Sequence, residues 1–321
     1  MTELEQAYTS RAYLVLGIDP IHVGSGEHKL AIVDNAVIRD TGTNLPKIPA
    51  TTLGGGLRSY TALYHTNQYL QSGSGRPPEN CAEDRSLAHC GKTTCPVCMT
   101  YGFTNEKTGL KLTSMAQIFD AHLAFFPVHS MVGPVWVTSQ GCLNGLIEAE
   151  LLTETDLNIK LTPDSNHLQT VLKKEKLTLG WFLLEVKEKS SPLTSAGIEK
   201  LKQLNLPDTI INNVVLVSDK LFSHVVNSNL EVRTSTAIDP VTGSSKEGAL
   251  FTYEAVPRSV VFWFNVIFKD PRNFKYHLGQ IDLNLNDVIQ NVENGLRYIE
   301  YLGVGGMVTR GMGRLKTLNL V

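Results

Sequence analysis

The sequence predicts an α+β fold built on a large sheet, and three observations predict it. Strand-length apolar runs recur along the chain, among them AYLVLGI (12–18), VVLVSD (214–219) and VVFWFNVIF (260–268). The clearest helix comes last, where Val288, Val292, Leu296 and Ile299 share one face. The resulting order is strand, helix, strands, helix, strand, hairpin, strand, helix. That order favours a mixed sheet with helices over an all-parallel one.

Each element has its own local reason. After the first strand, DPIHVGSG combines Pro20, Gly24 and Gly26 into a turn, and LAIVDNAVI (30–38) reads as a second strand or extended segment. Pro49 suits the first turn of a helix that places Leu53, Leu57, Tyr60 and Tyr64 on one face. Gly54, Gly55 and Gly56 interrupt that face. Each costs about 1 kcal/mol relative to alanine in a helix interior. Either a close backbone approach or a frayed helix explains them.

The chain reads as one domain over 1–321, with an insertion at 66–114 and a second, Lys/Glu-rich one at 153–208. Apolar strand-like segments return at 115–126 and 132–138, and a helix is expected from Leu143 to Leu152. Residues 229–257 alternate around PVTGSSKEG and predict a projecting hairpin. Asn284 or Asn286 can cap the last helix, and Gly303 suits its exit.

Composition narrows the class. The 321 residues are 42% hydrophobic, which argues against intrinsic disorder. The 29 basic and 31 acidic side chains give a formal charge of -2. That total carries no simple nucleic-acid signature, although a local patch can bind phosphate beneath it. No apolar run reaches membrane-spanning length, and MTELEQAYTSRAYLVLG has acidic residues where a signal peptide is basic. A cytoplasmic protein with no membrane partner is expected.

Three groups can carry chemistry. Cys81, Cys90, Cys95 and Cys98 are spaced C-x8-C-x4-C-x2-C, with Cys142 apart. This crowding fits a structural Zn2+ site that would fold an insertion poor in large apolar residues, with His89 able to replace one thiol. Free thiols or a CxxC redox pair are the alternatives. The segment GVGGMVTRGMGRL holds Gly305, Gly306, Thr309, Arg310 and Arg314. It follows a helix, so it is not a dinucleotide fingerprint, yet its N–H groups and guanidinium groups can wrap a phosphate backbone. It can equally be a surface turn. Finally, Asp34 in AIVDNAVIRD and His22 in PIHVGSG lack the paired spacing of a hydrolase site. Asp34 can cap a turn, or hold Mg2+ beside a phosphodiester that supplies the remaining ligands.

Taken together, PIHVGSG, VDNAVIRDTGTNLPKIPATTLGGGLRS, the segment from VVLVSDKLF to ALFTYEAVP, and GGMVTRGMGRL resemble a known family. It is the backbone (Cmr-type) subunit of type III-B CRISPR effectors, within the RAMP superfamily. The resemblance covers most of the chain outside 66–95 and about 155–208. It implies a ferredoxin-like or modified RNA-recognition-motif palm with a β-hairpin thumb, here about Glu231 to Val256. It also implies copies of the chain stacked with other subunits along a CRISPR guide RNA, and target-RNA cleavage at six-nucleotide intervals supported by Mg2+ or another divalent cation. The cleavage aspartate matches Asp34, with His22 and Glu247 as helpers. Thr51, Thr52, Arg58, Gly305, Gly306, Thr309, Arg310 and Arg314 fall on the implied RNA path.

This chain departs from the family where a serine-serine-leucine-lysine-glycine segment becomes Thr51, Thr52, Leu53, Gly54 and Gly55. Gly54 loses a phosphate-contacting lysine, for which backbone N–H groups and Arg58 would compensate in part. Two other readings stand beside this one. The first is a non-cleaving scaffold of the same complex, with Asp34 only structural. The second is a zinc-stabilised protein-interaction module unrelated to RNA.

Overall fold

A computed structural model describes residues 8–26, 33–72, 81–82, 89–104, 109–246, 249–274 and 283–320. Fourteen strands and seven α-helices follow one another in these segments. The first part holds β1 (Tyr8–Gly17), α1 (Ala50–Ser72), α2 (Pro96–Tyr101), β2 (Phe103–Thr104), β3 (Lys111–Leu112), β4 (Ala116–Ile118), β5 (His122–Ser130), β6 (Gly133–Ser139) and α3 (Gln140–Glu148). The middle holds β7 (Leu168–Thr170), β8 (Lys176–Leu179), β9 (Phe182–Glu188), α4 (Ser195–Gln203), α5 (Asp208–Ile211), β10 (Val214–Val217) and α6 (Asp219–Ser228). The last part holds β11 (Glu231–Ser235), β12 (Phe251–Ala255), β13 (Val261–Lys269), α7 (Leu285–Leu302) and β14 (Leu315–Thr317).

Ten strands form one sheet in the order β14-β1-β13-β5-β6-β10-β7-β9-β8, with β4 pairing β13 beside β5. The β6–β10 and β7–β9 pairs are parallel and the others antiparallel, which is the mixed α+β architecture expected. The centre is β13, whose Phe262, Phe264, Val266 and Phe268 are buried. Helices α1 and α7 cover one face of it. Leu53 and Leu57 of α1 meet Val288, Val292, Leu296 and Ile299 of α7 in the same core. Asn284 caps α7 by accepting from the Asn286 and Asp287 N–H groups, while the Asp287 carboxylate accepts from the Asn284 N–H.

Several boundaries differ from the sequence reading. The helix with three glycines is unbroken and runs to Ser72, past the expected insertion start at 66. Packing on α7 outweighs its weak propensity. The apolar run 115–126 is two strands rather than one. Asp120 sits between them because its carboxylate accepts from the Ala50 N–H (2.8 Å) and the Lys47 ammonium (2.6 Å), capping α1 from across the fold. The expected 143–152 helix begins earlier, at Gln140, because the Ser139 hydroxyl accepts the Cys142 N–H.

Residues 30–38 supply only isolated bridges among the described positions, Gly24 to Val37 and Asn35 to Tyr253. Segment 153–208 is integrated into the sheet rather than appended to it. Its strand β7 pairs β10, and its Leu201 and Leu206 share a core with Trp136, Leu143 and Trp263. Its polar composition hid three short strands. Among the described residues no helix is long and apolar enough to cross a membrane.

Candidate functional site

Three segments distant in sequence line a single groove of about 480 Å³. Val23 and Gly24 come from the first glycine turn, and Thr51, Thr52, Gly55, Gly56, Ser59 and Tyr60 from the start of α1. Gly303 to Gly306 and Val308 come from the loop after α7. Backbone bonds fix this meeting: Gly306 N–H donates to the His22 carbonyl (2.8 Å), Val304 to Gly313 (2.9 Å) and Gly313 to Pro20 (2.9 Å). The Tyr60 hydroxyl ties α1 to the Gly303 carbonyl at 2.5 Å.

Two glycines make the crossing possible. At Gly305 (φ 88°) a Cβ would lie 2.7 Å from the His22 carbonyl oxygen, and at Gly313 (φ 88°) one would lie 2.2 Å from that of Val304. Both values are below any tolerable contact, so bare backbone is required there. At Gly55 a Cβ would meet nothing within 4 Å, because that position faces the open groove. Among the described residues no acidic side chain lines the groove, and the acid at the start of α1 is Asp120, whose carboxylate accepts from the Ala50 N–H.

The arginines divide sharply. Arg310 is exposed in the 3-10 turn Val308–Arg310, with its guanidinium 5.3 Å from the Phe251 ring centroid and bonded to the Ser235 hydroxyl (3.0 Å). Thr309 beside it is exposed. Arg314 instead forks the Asp19 carboxylate at 2.5 and 3.1 Å and holds that carboxyl below the usual carboxylate range. Arg58 points away from the groove: Nε donates to the Cys81 carbonyl (2.7 Å) and Nη1 to those of Gly102 (2.9 Å) and Tyr101 (3.3 Å). The expected compensation for the missing lysine by Arg58 therefore has no basis in its position. Its neighbours are the cysteine segment and the end of α2.

Beside the groove, the hairpin β11–β12 meets the segment carrying Asp34. The exposed Asp34 carboxylate accepts from the Thr252 N–H (2.7 Å) and hydroxyl (3.0 Å) through one oxygen. The Asn35 N–H donates to the Thr252 carbonyl and the Glu254 N–H to that of Asn35, so residues 34–35 lie along β12. His22 is buried, 5% exposed, and its Nδ1 contacts the Glu254 carbonyl at 2.6 Å. A carbonyl only accepts, so Nδ1 carries a proton and donates it there, which leaves Nε2 as the ring nitrogen turned away from that bond.

Sequence reasoning missed Glu254. Its carboxylate accepts from the Val37 N–H (3.0 Å) and from Arg39 (3.0 Å), whose Nε donates to Asn227 of α6 (2.7 Å). The available signal was a lone charge inside the alternating strand FTYEAVP. Glu247 lies outside the described residues.

The four cysteines do converge. Their sulfur atoms lie within 4.8 Å of one another, with Cys90 and Cys98 3.7 Å apart. A tetrahedral ion with metal–sulfur bonds of about 2.3 Å spaces its ligands by about 3.8 Å, so the set can hold a metal such as zinc. His89 is not a member of that group. Four thiols this close cannot all ionise alone: Cys81 is drawn down to about 7 while Cys95 and Cys98 are pushed up by their neighbouring sulfurs. Cys142 is elsewhere in the core, where burial raises its thiol to about 12. Among the described residues the cysteines are the one such group of three or more ligating side chains, and Asp34 is in no such group.

Comparisons with known proteins bear on the family and the fold. A family model for the RAMP superfamily matches residues 17–316. The chain is similar to the CRISPR system Cmr endoribonuclease Cmr4 of Pyrococcus furiosus, at 24% identity over 318 residues and 95% of both chains. Its fold is similar to that of a chain of the type III-B Cmr-beta complex bound to cognate target RNA (TM-score 0.64, 16% identity, 97% of this chain and 96% of that one). It is also similar to oligomeric Cmr4 from Pyrococcus furiosus (TM-score 0.57, 19% identity, 98% and 100%). With the match running from the end of β1 to β14 and taking in the first glycine turn, α1 and the glycine loop after α7, this chain belongs to the RAMP superfamily.

Proposed function

We propose that this protein is a guide-RNA-binding backbone subunit of a type III CRISPR effector that cleaves complementary target RNA at regular intervals. The observation that carries the reading is the groove. Residues scattered from Val23 to Val308 meet in one trough of glycine backbone, hydroxyls and valines, with no acidic lining among the described residues, beside the Asp34–Thr252 contact. Such a surface suits a phosphate backbone without reading bases, and base pairing with the guide then supplies sequence recognition. The named activities of the Cmr relatives, an endoribonuclease and a target-RNA-bound complex, support the same assignment.

Thr51, Thr52, Gly305, Gly306, Thr309 and Arg310 line or border the guide path. Arg314 acts indirectly, by holding Asp19 and the glycine loop. The β11–β12 hairpin is the thumb, and its tip presents Val241, 91% exposed, to an incoming duplex. Asp34 is the cleavage residue, held at the thumb base by Thr252. His22 is the helper, with its ring orientation fixed by the Glu254 carbonyl. A divalent cation such as Mg2+ at Asp34 would neutralise charge on the scissile phosphate during attack by the neighbouring 2′-hydroxyl, and one carboxylate fits because RNA supplies further oxygens. Zn2+ held by Cys81, Cys90, Cys95 and Cys98 is structural. Copies of the chain stack along the guide with the other effector subunits.

The test is target cleavage by the complex assembled with guide RNA. Asp34→Asn should abolish cutting and leave guide retention within about twofold of wild type. Undiminished cutting would remove Asp34 from the chemistry, and loss of guide binding alone would make it a structural residue of a scaffold.

A further inference from the structure

Arg58 is a half-buried cation with no carboxylate within ion-pair distance among the described residues. Nε and Nη1 donate to carbonyls, and Nη2 is buried without a hydrogen-bond partner. A buried charge left with neutral partners is costly unless an anion lies near it. The carbonyls it does hold are informative. Cys81 is one of the four converging thiols, and Tyr101 and Gly102 end the helix α2 that begins just after Cys95 and contains Cys98. Arg58 thus bridges the two ends of the tetrathiolate set. A divalent ion bound by four thiolates carries a formal net charge of -2, which is the missing counter-charge.

The same side chain stands on α1. One side of that helix packs on the cysteine segment through Ala62 and through Thr61, which bonds the Tyr101 hydroxyl at 2.9 Å. Its other side carries Gly55 and Ser59 into the groove. Three consecutive glycines leave α1 with little stiffness of its own, so its position depends on what it packs against.

We propose that Arg58 is the charge partner of a divalent metal held by Cys81, Cys90, Cys95 and Cys98, and that through α1 the bound metal fixes one wall of the glycine groove. The second half of this statement rests on the groove being the RNA path, whereas the first does not.

The experiment uses the full chain with Zn2+ as the probe, in wild-type, Arg58→Gln and Arg58→Lys forms. Three quantities are read: zinc retention against a competing chelator, hydrogen exchange over residues 50–60, and the salt dependence of single-stranded RNA binding. Arg58→Gln should weaken zinc retention by about 10–100-fold, the range for residues that orient metal ligands, with Arg58→Lys intermediate. Stripping zinc from the wild type should speed exchange in α1 and weaken RNA binding. At saturating zinc, Arg58→Gln should keep the wild-type salt slope.

Wild-type zinc retention in Arg58→Gln would overturn the charge pairing, and unchanged α1 exchange on zinc removal would overturn the coupling. A salt slope shallower by about 0.7 would return Arg58 to a phosphate contact. A wild type that takes up no zinc would overturn the metal site itself. Should RNA fail to bind while zinc and exchange behave as expected, the RNA reading falls and the metal coupling stands. If Arg58→Gln does not fold, zinc stripping of the wild type still decides the coupling.

Discussion

The backbone carbonyl of Glu254 accepts a 2.6 Å hydrogen bond from His22 Nδ1, so the base of the hairpin and the first glycine turn behave as one unit. The same residue's carboxylate grips Arg39 and the Val37 N–H, which fixes the segment just after Asp34. Glu254→Gln should therefore lower unfolding stability by about 1–3 kcal/mol, the range for losing a charge-assisted bond where little water replaces it. Urea midpoints measure this. An unchanged midpoint would mean that Arg39 finds another partner.

Gly55 should separate stability from binding. Alanine there meets open space, so α1 should gain about 1 kcal/mol from helix propensity, visible as a higher melting temperature. The added methyl stands in the groove, and RNA affinity should drop. Raised stability with unaltered RNA binding would place the RNA away from this turn of α1.

The two arginines of the C-terminal loop should behave differently, although their sequence context is alike. Arg310 has no carboxylate partner among the described residues and borders the groove, so Arg310→Gln should weaken RNA binding and reduce its salt slope by about 0.7. Arg314 is already paired with Asp19, so Arg314→Gln should leave the slope alone and lower stability instead. Equal slopes for both variants would contradict this division.

The same pair predicts a pH dependence. The Arg314 guanidinium depresses the Asp19 carboxyl in the folded state, so its contribution is complete above the unfolded value of about 3.9 and fades as pH falls through the lower folded value. Wild type and Asp19→Asn should differ in denaturation midpoint by a constant amount from pH 7 to about 5. The two should converge in stronger acid. A difference that persists unchanged at the lowest pH would show that the fork is not a source of acid sensitivity.

Local spacing made some of this legible in advance. The cysteine pattern foretold a four-thiol cluster because ligands near in sequence, closed by a CPVC turn, have few ways to meet. The α7 face and its exit at Gly303 were readable because helical period and cap chemistry are properties of neighbouring residues. The break at Asp120 was hidden, since its cause is the Ala50 N–H and Lys47 on the far side of the fold.

By itself the sequence determined the principal strands β1, β10 and β13, the last helix, the hairpin, the thiol cluster and the glycine segments that can approach other backbone. Only the tertiary structure decided which charges are already matched. Arg314 meets Asp19 across 295 positions, Arg39 meets Glu254 across 215, and Arg58 turns from the groove toward Cys81. Residue type sets what an arginine can bind. Which partner it has depends on long-range packing, because charge pairing acts over a few ångströms in space and is blind to separation along the chain.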